Sequence, residues 1–385
     1  MRRLRESCAR CGSRAPVELL TLLLAACGQP HGSFEPAAQD QVVNVYNWFD
    51  YIKPELLQEF TAQTGISVRY DVFDSNNTLQ SKLLTGHTGY DVVFPSGAYL
   101  NAMIPAGVFL QLDRGRLPNF ANLDPQLMRR LAAQDPGNEH AVIYTWGITG
   151  FAYDVTKIRA RLPGDSAGAL RERTDSWSML FDPELAARFA DCGIGLYESP
   201  NVIVPSVLAW LGEQPNSEDL NVLRKAQNAL LAARPNIRKI STGSLVDDLA
   251  SGELCLIIAS NGDAMQAQER RRIAGNPDEI RFVVPREGAV LWFDVAAIPA
   301  DAPHPRNALR FINFLLDPRV AAQNSRAIHF PNGNRAAQPQ MPAELANAAI
   351  FPKEGSGPPL IPELAKSEEY VRARTRVWTR FRTGQ

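Results

Sequence analysis

Histidine, cysteine and long apolar runs are scarce in this 385-residue chain, and each scarcity removes a class of function. The five His stand at 31, 87, 140, 304 and 329, without the spacing of metal ligands. No His-Glu-x-x-His, Gly-x-Ser-x-Gly or Walker loop occurs, so the chemistry of zinc proteases, serine hydrolases and P-loop enzymes has no carrier, and no metal or cofactor is expected. Charge of one sign is missing too: the formal net charge is −1, and no basic stripe with interleaved aromatics runs through the body, which sets nucleic-acid binding aside. The early apolar run Leu19 to Ala26 is too short to span a bilayer. With 45% hydrophobic and 21% charged residues, the remainder has the balance of a folded globular protein, and its length favours two α/β lobes over a single core.

That apolar run follows Arg2, Arg3, Arg5, Arg10 and Arg14, the layout of an export signal. It ends Leu24-Ala25-Ala26-Cys27-Gly28, which resembles the bacterial lipobox, where a diacylglycerol-modified Cys becomes the new N-terminus. Residues 1–26 are expected to be a lipoprotein signal peptide and 27–41 a tether, giving a periplasmic protein anchored to a membrane only through Cys27; simple cleavage and release is the alternative. Removing the leader takes away five Arg and two Glu and leaves a mildly acidic body. Cys8, Cys11 and Cys27 belong to the leader, so the body keeps only Cys192 and Cys255. Two cysteines in an oxidising compartment invite one disulfide, with a pair of buried thiols as the alternative.

From Val42 the pattern runs strand, helix, strand: Val42 to Tyr46, Pro54 to Thr64 with Leu56, Leu57 and Phe60 at helical spacing, and Ile66 to Phe73. This βαβ unit implies a parallel sheet, whose ligands sit beyond the C-terminal strand ends. Further strands are expected at Tyr90 to Phe94, Leu254 to Ala259, Ile280 to Val284 and Ala289 to Ile298. Helices are expected within Ser176 to Asp191 and at Pro200 to Leu211, Leu220 to Arg234 and Asn307 to Leu316. The stretch Tyr144 to Tyr153 has the look of an extended crossover between lobes. Four strand ends thereby present polar groups: Trp48 with Asp50, Ser96, Asp263, and Trp292 with Asp294. Acids beside indoles suit a ligand with ammonium ends and a methylene middle. Each acid alone also fits a turn or a helix cap, Asp263 in particular.

Several of these segments resemble a known family. Tyr46-Asn47-Trp48-Phe49-Asp50-Tyr51-Ile52, Tyr70-Asp71-Val72-Phe73-Asp74-Ser75-Asn76, Leu123-Asp124-Pro125, Pro235-Asn236-Ile237-Arg238, Pro285-Arg286-Glu287-Gly288-Ala289, Trp292-Phe293-Asp294-Val295 and the stretch from Arg372 to Thr379 are similar to the periplasmic putrescine-binding and spermidine-binding proteins of polyamine ABC importers. The resemblance implies a two-lobed periplasmic-binding-protein fold. Each lobe is a mixed, mostly parallel sheet flanked by helices, with the ligand cleft between lobes formed by residues 42–145 plus 273–327 and 146–272 plus 328–385. It also implies a monomer, not an enzyme, that hands a small cationic amine to ABC importer permease subunits.

The family's ligand-contacting positions fall on Trp48, Phe49, Asp50, Tyr51, Ser96, Val202, Ser260, Asp263, Trp292, Asp294 and Phe330, with Asp50, Asp263 and Asp294 as the amine-binding acids. Four of these depart from the putrescine receptor: Phe49 stands for a Ser, Val202 for a Glu, Ser260 for a Trp and Phe330 for a Tyr. Glu198, one helical turn before Val202, is a candidate substitute for the lost acid. A sensor or degenerate binder of the same fold, or a carboxylate-dependent hydrolase, are the rival readings.

Overall fold

Why the first strand forms is plain from its composition: Val42–Trp48 (β1) is β-branched and aromatic, and Val43 and Val45 lose all exposure. The computed structural model describes residues 41–384 apart from 163, 165, 242, 342–344 and 346–356. Cys27 and the expected signal peptide therefore lie outside the described residues. β1 feeds the helix Pro54–Thr64, which opens on Pro54 and buries Leu56 and Phe60, each contributing roughly 1.5–3 kcal/mol. The chain returns as Ser67–Phe73 (β2), parallel to β1 in the register Val42–Ser67 to Trp48–Phe73, which is the expected βαβ unit.

The remaining strands are Val92–Val93 (β3), Ala141–Asp154 (β4), Ile194–Tyr197 (β5), Ile237–Ser241 (β6), Leu256–Ser260 (β7), Ile280–Val283 (β8), Ala289–Ala297 (β9) and Leu360–Pro362 (β10). They join one mixed sheet of ten strands in the order β2-β1-β3-β9-β4-β7-β5-β6, with β10 beside β9 and β8 beside β4. The stretch expected as a crossover is β4, fourteen residues long and buried throughout. Its first half pairs antiparallel with β9 and its second half with β7 and β8, and Thr149 is shared by the β9 and β7 ladders.

Two large apolar clusters flank that strand. One gathers Val43, Phe60, Phe94, Ile148, Phe293 and Phe311; the other gathers Phe151, Trp177, Phe189, Leu208, Ile258 and Phe381. Between Val283 and Val284 the chain passes from the second cluster back to the first, and between Leu360 and Tyr370 it crosses again. Cys192 and Cys255 are joined by a disulfide with Cα atoms 5.5 Å apart, beside the second cluster. The helical expectation over Ser176 to Asp191 resolves into two short helices, Ser178–Phe181 and Pro183–Ala187, because Asp182 leaves helical geometry to cap the second. Among the described residues no helix is long and apolar enough to cross a membrane.

Candidate functional site

Asp294 is the centre of the arrangement. On β9 it lies across from Ser96 on one side and Thr145 of β4 on the other, and paired residues in a sheet project to the same face. The Ser96 hydroxyl donates to one carboxylate oxygen at 2.6 Å and the Tyr51 hydroxyl to the other at 2.8 Å. Tyr51 also shares a hydrogen bond with Thr145 Oγ1 at 2.7 Å, and its carbonyl accepts from the Tyr144 hydroxyl at 2.5 Å. A register shift between Ile143 and Thr145 turns Tyr144 out of the ladder at this point. Ser96 is itself locked by Asn76, which accepts from its N–H and donates to its Oγ, both at 2.9 Å. Asp294 is only 7% exposed, and burial pushes its carboxyl up to about 6 although both hydroxyls pull it down.

Aromatic side chains wall this carboxylate in. The Phe330 ring meets Tyr51 edge-on at 5.6 Å and Trp292 at 5.5 Å. It also lies against Gly262, where any Cβ would collide with it, just as a Cβ at Gly147 would collide with Trp292. Phe330 thus bridges from Asp294's surroundings to the N-terminus of the helix Asn261–Ile273. There Ser260 caps the helix: its Oγ accepts the Asp263 N–H at 3.2 Å, while Asp263 accepts from the Ser260 N–H at 3.0 Å and its hydroxyl at 2.6 Å. The Tyr197 hydroxyl donates to the same Asp263 oxygen. The cap role expected as the alternative for Asp263 is therefore real, and it leaves that residue's other oxygen without a protein donor among the described residues. Trp48 donates its Nε1–H to the Phe94 carbonyl at 2.9 Å and leans on Phe73. Asp50 sits exposed past the end of β1 with φ at 51°, a left-handed turn that Asp tolerates better than most residues.

The family model for the bacterial extracellular solute-binding protein matches residues 55–353. The chain belongs to that family. Over 368 residues it is 40% identical to the putrescine-binding periplasmic protein SpuD of Pseudomonas aeruginosa, covering 95% of this chain and 98% of that one. It is 33% identical over 327 residues to the spermidine/putrescine-binding periplasmic protein of Escherichia coli, covering 84% and 87%. Among solved structures it superposes on the spermidine/putrescine ABC transporter substrate-binding protein PotD of Streptococcus pneumoniae with a TM-score of 0.74 at 26% identity, covering 89% of this chain and 99% of that one. The mixed α/β sheet flanked by helices is the periplasmic-binding-protein fold, and the matched proteins are binding proteins of transport, not enzymes.

In this solute-binding protein, Tyr51, Ser96, Trp292, Asp294 and Phe330 form one connected group, and Ser260 with Asp263 adjoins it through Gly262. Phe49 is 71% exposed at the tip of the β1 turn, and Val202 is half-buried against the second apolar cluster. Glu198, the candidate substitute for the acid missing at 202, is paired instead with Arg382 of the C-terminal helix Glu368–Thr383. Four positions around the candidate site had no signal in the sequence. Thr145, Tyr144 and Tyr197 act through hydroxyls placed by pairings that only the folded sheet makes. Glu363 follows the three-residue β10, and burial together with the charge of Asp294 pushes its carboxyl up to about 7.

Proposed function

We propose that this solute-binding protein captures a small organic diamine or polyamine outside the cytoplasm and delivers it to the permease subunits of an ABC importer. The observation that carries the reading is Asp294, a buried carboxylate whose partners among the described residues are hydroxyls rather than a cation. An ammonium 4 Å from it gains about 4 kcal/mol at an effective dielectric near 20, and an indole face adds roughly 0.5–2 kcal/mol. Trp292 and Trp48 are the indoles available. The contact set is Trp48, Phe49, Asp50, Tyr51, Ser96, Val202, Ser260, Asp263, Trp292, Asp294 and Phe330. The names of the relatives, putrescine-binding and spermidine/putrescine-binding, support the ligand class.

The two apolar clusters are taken as the cores of two lobes, 42–148 with 284–341 and 357–362, and 149–283 with 368–384, a division drawn where the packing changes hands. Asp294 and Asp263 then face the cleft from opposite lobes. Closure on a diamine satisfies both, whereas closure on an empty cleft buries like charges, so the ligand shifts the population towards the closed form. The protein works as a monomer in the periplasm, held to the membrane by a lipid on Cys27. A thermal-shift and calorimetry panel of diamines and polyamines tests the reading. An amine at a hundredfold over its Kd raises stability by about 2.7 kcal/mol. No shift with any amine, or an equal shift with neutral diols, overturns it.

A further inference from the structure

Two helices of the second apolar cluster lie side by side. Leu220–Ala233 buries Leu223, Ala226 and Leu230 there, and Glu368–Thr383 buries Ala373, Val377 and Phe381. They run in the same direction. Ser367, which caps the second helix, donates its N–H to the Glu218 carboxylate just before the first at 3.1 Å. At the other end Arg234, just after the first helix, donates its Nε–H to the Phe381 carbonyl at 3.0 Å. Clamped at both ends, the pair encloses an open groove of about 180 Å³ whose floor is Leu223, Ala373 and Val377.

Three guanidiniums line that groove, Arg224 from the first helix and Arg376 and Arg380 from the second. All three are exposed, and among the described residues none has a side-chain hydrogen bond or an acid within ion-pair distance. Local sequence accounts for this: the positions three and four residues away from each hold Leu, Val, Ala, Asn, Gln, Thr, Gly or Arg, never an acid. By contrast Arg372 on the same helix has Glu368 one turn away, and Arg272 has Glu269. Arg376 and Arg380, one turn apart, repel each other instead, and an anion between them removes that cost. The formal net charge of the whole chain is −1, so this positive groove is local and not the surplus of a basic protein.

The flank of the groove is apolar. Leu220, which lines its end, is exposed. Across the Leu220–Ala233 helix, Phe181, Trp210, Leu211 and Ala229 line a hollow of about 430 Å³, where Trp210 is half-buried and Leu211 exposed. Guanidiniums beside an indole and exposed leucines suit a layer of phospholipid headgroups: phosphate oxygens accept from Arg in bidentate pairs, while Trp and Leu enter the boundary beneath. A free phosphate has no use for the apolar flank.

We propose that this face, the groove of Arg224, Arg376 and Arg380 with the apolar flank around Trp210, docks the protein on an anionic phospholipid surface. None of the proposed amine contacts takes part, so the docking face stands independently of the amine-binding reading.

Co-sedimentation with phosphatidylcholine vesicles, with and without phosphatidylglycerol, tests this. Residues 28–385 hold the whole sheet and both apolar clusters without the leader or a site for an acyl anchor, so vesicle binding then reports the folded body alone. Binding to the anionic vesicles is expected to be about a hundredfold tighter, from roughly fivefold for each guanidinium at an anionic surface, and to weaken as salt is added. Arg224→Gln with Arg376→Gln and Arg380→Gln is expected to lose that preference while the thermal melt stays unchanged. Arg129→Gln with Arg306→Gln and Arg310→Gln removes the same charge from exposed positions around the first cluster and is expected to keep it. No preference for the anionic vesicles overturns the proposal, as does equal loss in both triple variants, which marks attraction by net charge without a dedicated face. Calorimetric binding of glycerol 3-phosphate that the first variant abolishes, with no vesicle binding, assigns the groove to a soluble anion and overturns docking.

Discussion

Two aspartates of the proposed cleft are held in opposite ways. Asp263 is bound by its own neighbourhood, with Ser260 three residues away supplying an N–H and a hydroxyl. Asp294 is bound by strangers: Ser96 is 198 residues away in the chain and Tyr51 is 243. The first is the N3 member of a helix cap and does structural work before any ligand arrives. The second has no helix to serve. Its burial costs free energy in the empty protein, and a cation returns that cost. A carboxylate that the fold uses and one that the fold merely tolerates should therefore respond differently to removal.

Replacement by alanine is the strongest way to break this contrast. Asp294→Ala is expected to lower amine affinity by about 2–5 kcal/mol, some thirtyfold to several thousandfold, because a buried charge partner is lost. Ser96 retains Asn76 and Tyr51 retains Thr145 in that variant, so the ligand-free Tm at pH 8 is expected to stay within a few degrees. Asp263→Ala removes the acceptor of the Ser260 N–H, the Ser260 hydroxyl and the Tyr197 hydroxyl, and is expected to cost about 1–3 kcal/mol with no ligand present. Chemical denaturation without amine and calorimetry with it read the two effects separately. Equal loss of ligand-free stability in both variants removes the distinction.

Next in size is the pH dependence of the empty protein. Asp294 titrates near 6 when folded and near its ordinary value of about 4 when unfolded, so the folded state holds the proton more tightly. Its contribution is complete below pH 4 and is lost as pH rises through 6, roughly 3 kcal/mol in all. The measured quantity is the difference between the unaltered protein and Asp294→Asn across pH 4–8, which cancels the exposed carboxylates that titrate the other way. A bound amine keeps Asp294 ionised, so the amine-induced rise in Tm is expected to be larger at pH 8 than at pH 5. A rise that is independent of pH contradicts the burial of an unpaired Asp294.

The same contrast explains how much was legible in the sequence. The unit from Val42 to Phe73 was legible because the strand pattern, Pro54 and Gly65 all lie within it, and the helix at Leu220 because its apolar residues keep one face. Trp292 and Asp294 stood out through the motif they share with a family, although they lie in the middle of the nine-residue β9 rather than at the strand end expected for them. β5 and β6 were not seen: one is only four residues long with Gly195 inside it, and the other, Ile-Arg-Lys-Ile-Ser, keeps mostly partial exposure at the sheet edge, so neither carries a clean alternation. The expected strand from Tyr90 to Phe94 contracts to Val92–Val93, since the buried Asp91 spends its carboxylate on the Asn44 and His304 N–H groups. Glu363 could not be found at all by period or motif, because its position comes from the pairing of β10 with a strand far back in the chain.

The smallest effect sharpens the contrast from inside the Asp294 site. Ser96→Ala removes one of the two hydroxyls that lower the carboxyl's proton affinity, and leaves Tyr51 and Thr145 in place. The midpoint of the pH dependence of amine binding is expected to move upward, and affinity at pH 7 to fall by about two- to tenfold, the worth of one hydrogen bond of roughly 0.5–1.5 kcal/mol. The parallel change at the other acid, Ser260→Ala, takes a donor from Asp263 but also removes the helix cap, so it is expected to lower the ligand-free Tm as Ser96→Ala does not. Calorimetry at several pH values with a thermal melt of each variant separates them. A midpoint unmoved by Ser96→Ala means that Ser96 positions the β9 edge without touching the charge, and that the proton affinity of Asp294 is set by burial alone.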